Sequence, residues 1–554
     1  MLSSRNYLSE SADEKPCLVQ TGRGFSVKYK GIFLYSKYDP KKSILRTVQS
    51  AHILPGTLVL AVSPCLGYGL EELAEKLPEN AAIFVIERDK ELLRLSREHC
   101  GEFKYAAEKK CFFFPPDELT SLPAVLNGRR SDFRGKFRRV MRIDFSAGTQ
   151  LNASFYTLFY NAMQESIAQF WKNRLTLIKF GRRYSRNFFR NICAMKNAGR
   201  IENLFRTVTK PVLVCGAGES MEAILSEDDD FLRRFYIIAA DASLCAFRAK
   251  KKHVDAVVCE ESQTAIAKAF IGCRQYAENA FISLSSCPET AVTAGKKAFY
   301  YTTLFDDRHF IAELAADDVL PAAVPPVGSV GLTAVYLALK LRADETVPVC
   351  FTGLDFSFAF GKTHAAGTFA DIQNRSETNR LSGARLYASS FSEGTTSFID
   401  IAGKKAVTTV ALSGYASLMN KFFQNEKNLF DCRKSGVTIA FPSADIHEIA
   451  CKTDETERKT REPIEKKSDE SERRRIFFEN EIAALSELQN ILSHGQNEQT
   501  DVRNAQIKKL LEQREYLFLH FPDGISSSLD VRFLKRVRAE TDAFLKLFNQ
   551  LRYL

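Results

Sequence analysis

The sequence lacks the features of an exported or membrane-spanning protein. None of its 13 cysteines forms a C-x-x-C pair, and several, such as Cys215, Cys259 and Cys350, stand inside apolar segments. An odd, unpatterned set of this kind indicates reduced thiols. The N-terminal segment has no apolar signal-peptide core, and the chain has no run of about 18 uncharged apolar residues. We therefore expect a cytoplasmic protein without a membrane span.

Common catalytic motifs are missing as well. The chain contains no G-x-x-x-x-G-K-[ST], no H-E-x-x-H and no G-x-S-x-G, which argues against a P-loop NTPase, a zinc hydrolase and a serine hydrolase. Lys and Arg outnumber Asp and Glu only by 77 to 67. The segment Arg182–Arg190 mixes cations and aromatics, but a solvated helix face explains it better than a nucleic-acid groove. We predict no nucleic-acid partner and assign no metal site, and the need for a divalent cation stays open.

The pattern of apolar residues indicates an α/β protein with several domains. Apolar strand-like runs alternate with helical spacing through the first and central regions, a run of charged residues follows, and leucines and phenylalanines then recur at helical intervals. We predict an N-terminal Rossmann-like α/β domain, connecting helices, a central Rossmann-like domain with a mostly parallel sheet, a charged linker and a C-terminal helical domain. Their boundaries are 1–170, 171–200, 201–443, 444–475 and 476–554.

The first region contains one clear βαβ unit. Residues 57–62 and 82–86 read as strands, a helix is predicted between them, and Glu87 follows the second strand. An acid about twenty residues after a glycine turn is placed as in nucleotide-binding folds, where it receives ribose hydroxyls. A scaffold copy without a ligand is the alternative interpretation of this unit.

The central region opens on the most informative segment of the chain. Val212–Cys215 reads as a strand buried on both faces, and a turn of small residues leads from it into a helix. Glycines in such a turn let the backbone approach an anion, and the helix N-terminus favours negative charge there. The pattern predicts a phosphate-binding loop, with a plain structural turn as the alternative. The loop residues concerned are Gly216, Ala217, Gly218 and Ser220, and Asp241 and Ser243 follow the next predicted strand.

A second group of polar residues follows further along the chain. Gly328 and Ser329 open an apolar helix, and the next strand ends at Asp355. A loop rich in glycine then carries His364. Because parallel sheets bind ligands at the carboxyl ends of their strands, these residues belong to the same predicted nucleotide site.

Five motifs in order resemble one family. They are VLVCGAGES, AADAS, HVDAVVCEE, GSVGLTAVYLALKL and FTGLDFSFAFGKTHAAGT. Together with CLGYGLEEL and FVIERD, they resemble the motility-associated factor (Maf) flagellin glycosyltransferases, whose central domain is similar to bacterial sialyltransferases. The resemblance covers about the first 400 residues. It implies transfer of a nonulosonic acid, such as pseudaminic or legionaminic acid, from a CMP-activated donor to Ser or Thr of flagellin, in support of flagellar assembly and motility.

A transfer of this kind needs a base for the acceptor hydroxyl, and the sequence offers candidates for it. His364 is the expected general base, because imidazole titrates near neutrality and the residue lies on a glycine-bearing loop after a strand end, and Asp355 is its competitor; Lys362 and Arg375 are weaker candidates for binding the sugar carboxylate. Glu219 departs from the family, which usually has proline there. The residues expected to bind the nucleotide-sugar are Gly216, Ala217, Gly218, Ser220, Asp241, Ser243, Asp255, Glu261, Gly328 and Ser329.

Two other functions remain open from the sequence. The central domain also resembles archaeal pterin pyrophosphokinases, which use ATP and Mg²⁺, and in that case Asp241, Asp255 and Glu261 would hold the metal. A non-enzymatic scaffold that binds flagellin is the third possibility. The oligomeric state cannot be predicted from the pattern.

Overall fold

Two units make up the chain, Met1–Ile178 and Lys179–Leu554. The computed structural model describes residues 15–99, 111–128, 131–304, 309–316, 318–359, 361–381, 383, 394–451, 470–494 and 500–552. Most of the predicted charged linker, 444–475, lies outside these residues. Within the described residues, no helix combines the length and the apolar character needed to cross a membrane.

The first unit is built on a four-stranded parallel sheet of order β6-β5-β4-β7, beside a three-stranded antiparallel sheet of order β1-β2-β3. Its strands are β1 Cys17–Thr21, β2 Gly24–Tyr29, β3 Ile32–Phe33, β4 Thr57–Val62, β5 Ala82–Ile86, β6 Cys111–Phe113 and β7 Arg139–Asp144. Its helices are α1 Lys42–Ser50, α2 Leu70–Glu75, α3 Lys90–His99 and α4 Leu122–Val125.

Strand β4 shows that this sheet is covered on both faces. All six of its residues are buried. Leu58, Leu60 and Val62 pack into one apolar cluster, while Val59 and Ala61 pack into another on the opposite face. Continuous apolar strands of this kind are typical of parallel sheets with helices on both sides.

A single helix, α5, runs from Ala153 to Ala194. The sequence predicted one or two connecting helices over 171–200, and the structure has one helix that begins earlier. Part of α5 belongs to the second unit, where Phe189 packs against Tyr516 and Phe548 with ring centroids 4.9 and 4.8 Å apart.

The second unit contains a nine-stranded sheet whose pairings are all parallel. Its order is β14-β13-β12-β11-β10-β9-β15-β19, with β8 also paired to β13. The strands are β8 Gly199–Arg200, β9 Val212–Cys215, β10 Tyr236–Ala240, β11 Val254–Cys259, β12 Ala277–Ser283, β13 Lys297–Thr303, β14 Ala323–Val324, β15 Val349–Thr352 and β19 Leu429–Asp431. A separate antiparallel sheet of order β16-β18-β17 comprises β16 Phe358–Ala359, β17 Thr395–Ile399 and β18 Lys405–Thr409.

Helices cover this sheet and form the end of the chain. They are α6 Met221–Ser226, α7 Asp229–Leu232, α8 Leu244–Ala249, α9 Thr290–Thr293, α10 His309–Ala316, α11 Val330–Leu341, α12 Phe369–Glu377, α13 Val410–Phe423, α14 Ile446–Cys451, α15 Glu470–His494, α16 Thr500–Glu512 and α17 Val531–Leu551. Helix α11 is apolar on nearly all sides and is buried in the main cluster of the unit, against β9, β10, β11 and β15.

The strand order places a switch point between β9 and β15. From β9 the chain adds β10 through β14 in one direction, and it then returns to place β15 on the other side of β9. Connections that leave in opposite directions open a crevice at the carboxyl ends of the two strands, where such folds bind ligands. The two segments that the sequence analysis selected, the glycine turn after β9 and the segment that ends at Asp355 after β15, both lie at this point.

Candidate active site

The loops after β9 and β15 meet at this switch point. The N–H of Gly216 donates to the carbonyl of Thr352 at 2.8 Å, and the N–H of Gly218 donates to the carbonyl of Gly353 at 2.8 Å. Gly353 has a φ of +69°, a conformation that favours glycine. Side chains on these glycines would collide with the facing backbone, so their smallness allows the two loops to touch.

Asp355 joins the two loops. Its Oδ2 accepts the backbone N–H of Ser220 at 2.9 Å, and its Oδ1 accepts the Ser220 hydroxyl. The same hydroxyl oxygen accepts the N–H of Gly353 at 2.8 Å. Burial raises the pKa of Asp355 to about 6, while the hydrogen bonds from Ser220 and the charge of Arg433 oppose that rise. Asp355 therefore holds the loops in place, and its bonds leave little reason to assign it the role of base.

This arrangement changes the reason for the glycine at 218. The sequence suggested that Gly218 makes room for a phosphate, whereas a Cβ there would lie 2.5 Å from Oδ2 of Asp355. Ser220 likewise uses its N–H and hydroxyl on Asp355. In the described part of the chain, the N–H groups of Ala217 and Glu219 have no protein acceptor, and these are the loop amides left for an anion.

Arg433 closes the β19 side of the crevice. Its side chain is fully buried and pairs with Asp431 at 2.7 Å. It also donates to the carbonyls of Leu354 at 3.0 Å and Val437 at 2.9 Å. The segment around Gly436 then packs directly on the backbone of Asp355. The crevice is therefore filled by protein on this side.

Replacing Arg433 by methionine is expected to lower the free energy of unfolding by about 3–5 kcal/mol, because the change removes the guanidinium from a buried carboxylate and from two carbonyls. Urea unfolding of the purified protein measures this. Arg233→Met is the matched control, since its ion pair with Asp230 is largely exposed and should contribute less than about 1 kcal/mol. Equal losses for the two variants would contradict the bracing role of Arg433.

Asp241 and Ser243 lie at the carboxyl end of β10, next to the crevice. The hydroxyl of Ser243 donates to the carbonyls of Cys215 at 3.0 Å and Ala240 at 2.7 Å, so it ties β10 to β9. Oδ1 of Asp241 accepts the N–H of Ala242 at 2.7 Å. Burial, together with the nearby acids after β11, raises the pKa of Asp241 to about 7.

The structure corrects the assignment of Asp255. This residue lies at the start of β11, and its Oδ2 accepts the N–H of Ile237 at 2.8 Å near the start of β10. It is therefore at the amino-terminal edge of the parallel sheet, opposite the crevice. The sequence placed it in the nucleotide site because the motif around it matched, but its position within the strand was not resolved by the pattern.

Glu260 lies at the same edge of the sheet as Asp241, and the sequence analysis did not select it. It follows β11 directly and continues the face formed by Ala256 and Val258. Its Oε1 accepts the hydroxyl of Thr303 at 3.3 Å, and burial raises its pKa. The predicted neighbour, Glu261, instead accepts the N–H of Gln263 at 2.9 Å within its own loop. Because side chains alternate between the two faces of a strand, the sequence pattern places residue 260, and not 261, on the same face as residues 256 and 258.

Gly328 and Ser329 begin α11 at the same edge of the sheet. Ser329 caps the helix by accepting the N–H of Leu332 at 3.4 Å, and Gly328 has a φ of +100° beside Leu418. Both residues have a clear role in starting the helix. Their assignment to nucleotide binding stays a prediction.

The loop that carries His364 lies against the loop after β9. The N–H of Ala365 donates to the carbonyl of Ala217 at 2.8 Å, which fixes one loop on the other. His364 is half-buried, and its Nδ1 lies 3.1 Å from the hydroxyl of Thr363. Burial lowers the pKa of His364, with Asp371 opposing, so the imidazole is neutral at pH 7. A neutral imidazole can accept a proton.

Lys362 and Arg375, the weaker candidates for binding the sugar carboxylate, each form an ion pair with an acidic side chain. Nζ of Lys362 lies 2.5 Å from Oε1 of Glu222 and 3.8 Å from Oε1 of Glu219. Glu219 is 42% exposed, so its carboxylate turns toward this lysine and solvent. Arg375 pairs with Asp371 at 2.9 Å. Binding of a sugar carboxylate by either cation would require exchange of its present partner.

The first unit has its own switch point, and protein fills it. The hydroxyl of Tyr35 accepts the N–H of Leu66 at 3.2 Å and donates to the carbonyl of Pro64 in the loop after β4. Glu87 is fully buried, and its Oε1 accepts the hydroxyl of Tyr156 at 2.8 Å. These contacts favour the scaffold interpretation of this unit over ribose binding by Glu87.

Across the described side chains, no group of three or more His, Cys, Asp or Glu residues is arranged to hold a metal ion.

Comparisons with known proteins define first the class of fold. A solved structure described as the MAf glycosyltransferase from Magnetospirillum magneticum AMB-1 matches with a TM-score of 0.53 at 13% sequence identity, over 98% of this chain and 92% of that chain. The chain therefore has the fold of that glycosyltransferase. The predicted α/β architecture and the resemblance to Maf proteins are confirmed at the level of the fold.

Two further comparisons concern the sequence. A family model described as 6-hydroxymethylpterin diphosphokinase MptE-like matches residues 186–360. A protein of Treponema pallidum (strain Nichols), described as an uncharacterized protein, is 31% identical over 559 residues, covering 97% of this chain and 95% of its own. The chain belongs to the same family as this treponemal protein.

Proposed function

We propose that the protein is a cytoplasmic glycosyltransferase that transfers a nonulosonic acid from a CMP-activated donor to Ser or Thr hydroxyls of flagellin. The observation that carries this proposal is the crevice between β9 and β15, in a fold shared with a Maf glycosyltransferase. Loop amides, a half-buried neutral histidine and strand-end polar residues converge there. The choice of CMP, sugar and acceptor follows from the resemblance of the sequence motifs to the Maf family.

The reaction requires a stabilised leaving group and a proton acceptor. A bond forms between the acceptor oxygen and the anomeric carbon, while the bond from that carbon to the phosphate oxygen breaks and CMP leaves with the electron pair. In the proposal, the N–H groups of Ala217 and Glu219 stabilise the leaving phosphate. Nε2 of His364 accepts the proton of the hydroxyl.

A second candidate function rests on the match of residues 186–360 to the MptE-like model. A pterin diphosphokinase would bind ATP with Mg²⁺ rather than CMP, and the carboxylates at the crevice would face that metal. Two residues of the metal set expected from the sequence fit this poorly, because Asp255 lies at the opposite edge of the sheet and Glu261 turns into its own loop. The Maf structure matches over nearly the whole chain, whereas the MptE-like model matches only residues 186–360, which favours the first candidate.

Nucleotide preference separates the two candidates. We expect CMP to raise the melting temperature of the protein and ATP with Mg²⁺ to leave it unchanged, because a ligand held at a hundred times its Kd stabilises the folded state by about 2.7 kcal/mol. A thermal-shift titration with both nucleotides measures this. Stabilisation by ATP with Mg²⁺ alone would instead favour the kinase.

A further inference from the structure

The two sides of the crevice at the switch point differ. On the β19 side, Arg433 and the backbone around Gly436 fill the space against Asp355. On the other side, β10 and β11 end at Asp241 and Glu260, whose carboxyl groups are close enough for the charge of Glu260 to raise the pKa of Asp241. Under the proposed function, a donor whose nucleotide sits on the loop after β9 would place its sugar over the ends of β10 and β11, since protein occupies the β19 side.

Two asparagines of α5 hold the loops at this end of the crevice. Nδ2 of Asn187 donates to the carbonyls of Ser262 at 3.0 Å and Ser285 at 3.2 Å. Nδ2 of Asn191 donates to the carbonyls of Leu284 and Ser286, both at 2.9 Å. The asparagines are four residues apart, so they lie on one face of the helix.

The four carbonyls belong to two loops at the carboxyl edge of the sheet. Ser262 comes two residues after Glu260, in the loop after β11, and the other three carbonyls follow β12. Both asparagines are buried, at 5% and 0% exposed. All four acceptors are carbonyl oxygens, so the side chains at these positions must be hydrogen-bond donors. Oδ1 of Asn191 has no partner among the described residues.

We infer that Asn187 and Asn191 are positioning residues for the part of the site that holds the donor sugar. Asn187 ties the loop that follows Glu260 to the loop after β12, and Asn191 holds that second loop on the same helix. This inference rests on the proposed function and deepens it. It predicts that weakening the hydrogen bonds made by these two asparagines impairs sugar transfer and spares CMP binding.

Asn191→Asp tests the inference, because the aspartate has the same size but presents oxygens to two carbonyls. We expect the kcat of sugar transfer from a CMP-nonulosonate to fall roughly tenfold to a hundredfold at pH 8, since small misplacements of reacting groups have such effects. The Kd for CMP should stay within about twofold of the wild-type value. Lowering the pH protonates the aspartate and restores one donor, so the ratio of variant to wild-type kcat should rise between pH 8 and pH 6.

Two further variants keep the test decisive. Asn173→Asp makes the same change on an exposed part of the same helix and should leave kcat unchanged. If Asn191→Asp does not fold, Asn187→Ala replaces it, since the second asparagine still ties the β12 loop, and a fall in kcat with intact CMP affinity is again expected.

The outcomes separate the two claims. Wild-type kcat in a folded Asn191→Asp or Asn187→Ala protein would overturn the positioning role alone, and so would a loss confined to CMP affinity. Absence of any sugar transfer by the wild-type protein would overturn the proposed function, and this inference with it.

Discussion

CMP binding is expected to disappear when Gly218 is replaced by valine. The Cβ alone would lie 2.5 Å from Oδ2 of Asp355 and 2.8 Å from the carbonyl oxygen of Gly353. Real Cβ atoms do not approach other atoms so closely, and both neighbours are fixed by hydrogen bonds, so the loop after β9 must move. Its displacement takes the N–H groups of Ala217 and Glu219 out of position for a phosphate. Isothermal calorimetry with CMP measures the effect.

The control for this change is Gly414→Val. Gly414 lies in α13, has a helical conformation without positive φ, and has open space where a Cβ would stand. We expect it to bind CMP like the wild-type protein. Circular dichroism of both variants then tells a local rearrangement from unfolding. Unchanged CMP affinity in Gly218→Val would remove the loop after β9 from the nucleotide site.

Sugar transfer is expected to fall by about two to four decades when His364 is replaced by alanine, the usual range for loss of a general base. The N–H of Ala365 donates to the carbonyl of Ala217, and the N–H of Ala366 donates to the carboxylate of Glu222, so removal of the imidazole should leave the loop in place. Single-turnover transfer from the CMP-activated donor is the appropriate measurement. A folded variant with undiminished transfer would exclude His364 as the base.

The pH dependence gives a second criterion for the same residue. Because burial lowers the pKa of His364 below its ordinary value of 6.5, the imidazole stays neutral down to that lowered pKa and becomes protonated below it. Wild-type transfer should therefore hold through neutral pH and decline only under acidic conditions. The Ala variant should lack that acidic limb. Thr363→Ala, which removes the hydroxyl beside Nδ1, serves as a mild control.

The sequence predicted those parts of the site that depend on local pattern. An apolar run followed by glycines predicts a buried strand and a close turn, and both β9 and β15 have that form. Their meeting at one switch point also follows from the rule that parallel strands bind ligands at their carboxyl ends. The His364 loop was placed correctly at this edge for the same reason.

The remaining parts depend on contacts between distant residues. Ser220 and Asp355 are 135 positions apart, and nothing in either segment indicates that the Asp355 carboxylate accepts a hydrogen bond from the backbone N–H of Ser220. Arg433 also lies outside the motifs, although it stands only two residues after Asp431, the acid with which it pairs. Asp255 was misplaced because a motif match does not fix which end of a strand a residue occupies.

The most direct test of the account is the intact mass of flagellin after incubation with the purified protein and a CMP-activated nonulosonic acid. We predict an increase by whole sugar units, together with release of an equal amount of CMP. The His364→Ala protein should produce the increase far more slowly. Unchanged flagellin mass with a folded protein that binds CMP would contradict the proposed transfer and favour a flagellin-binding scaffold.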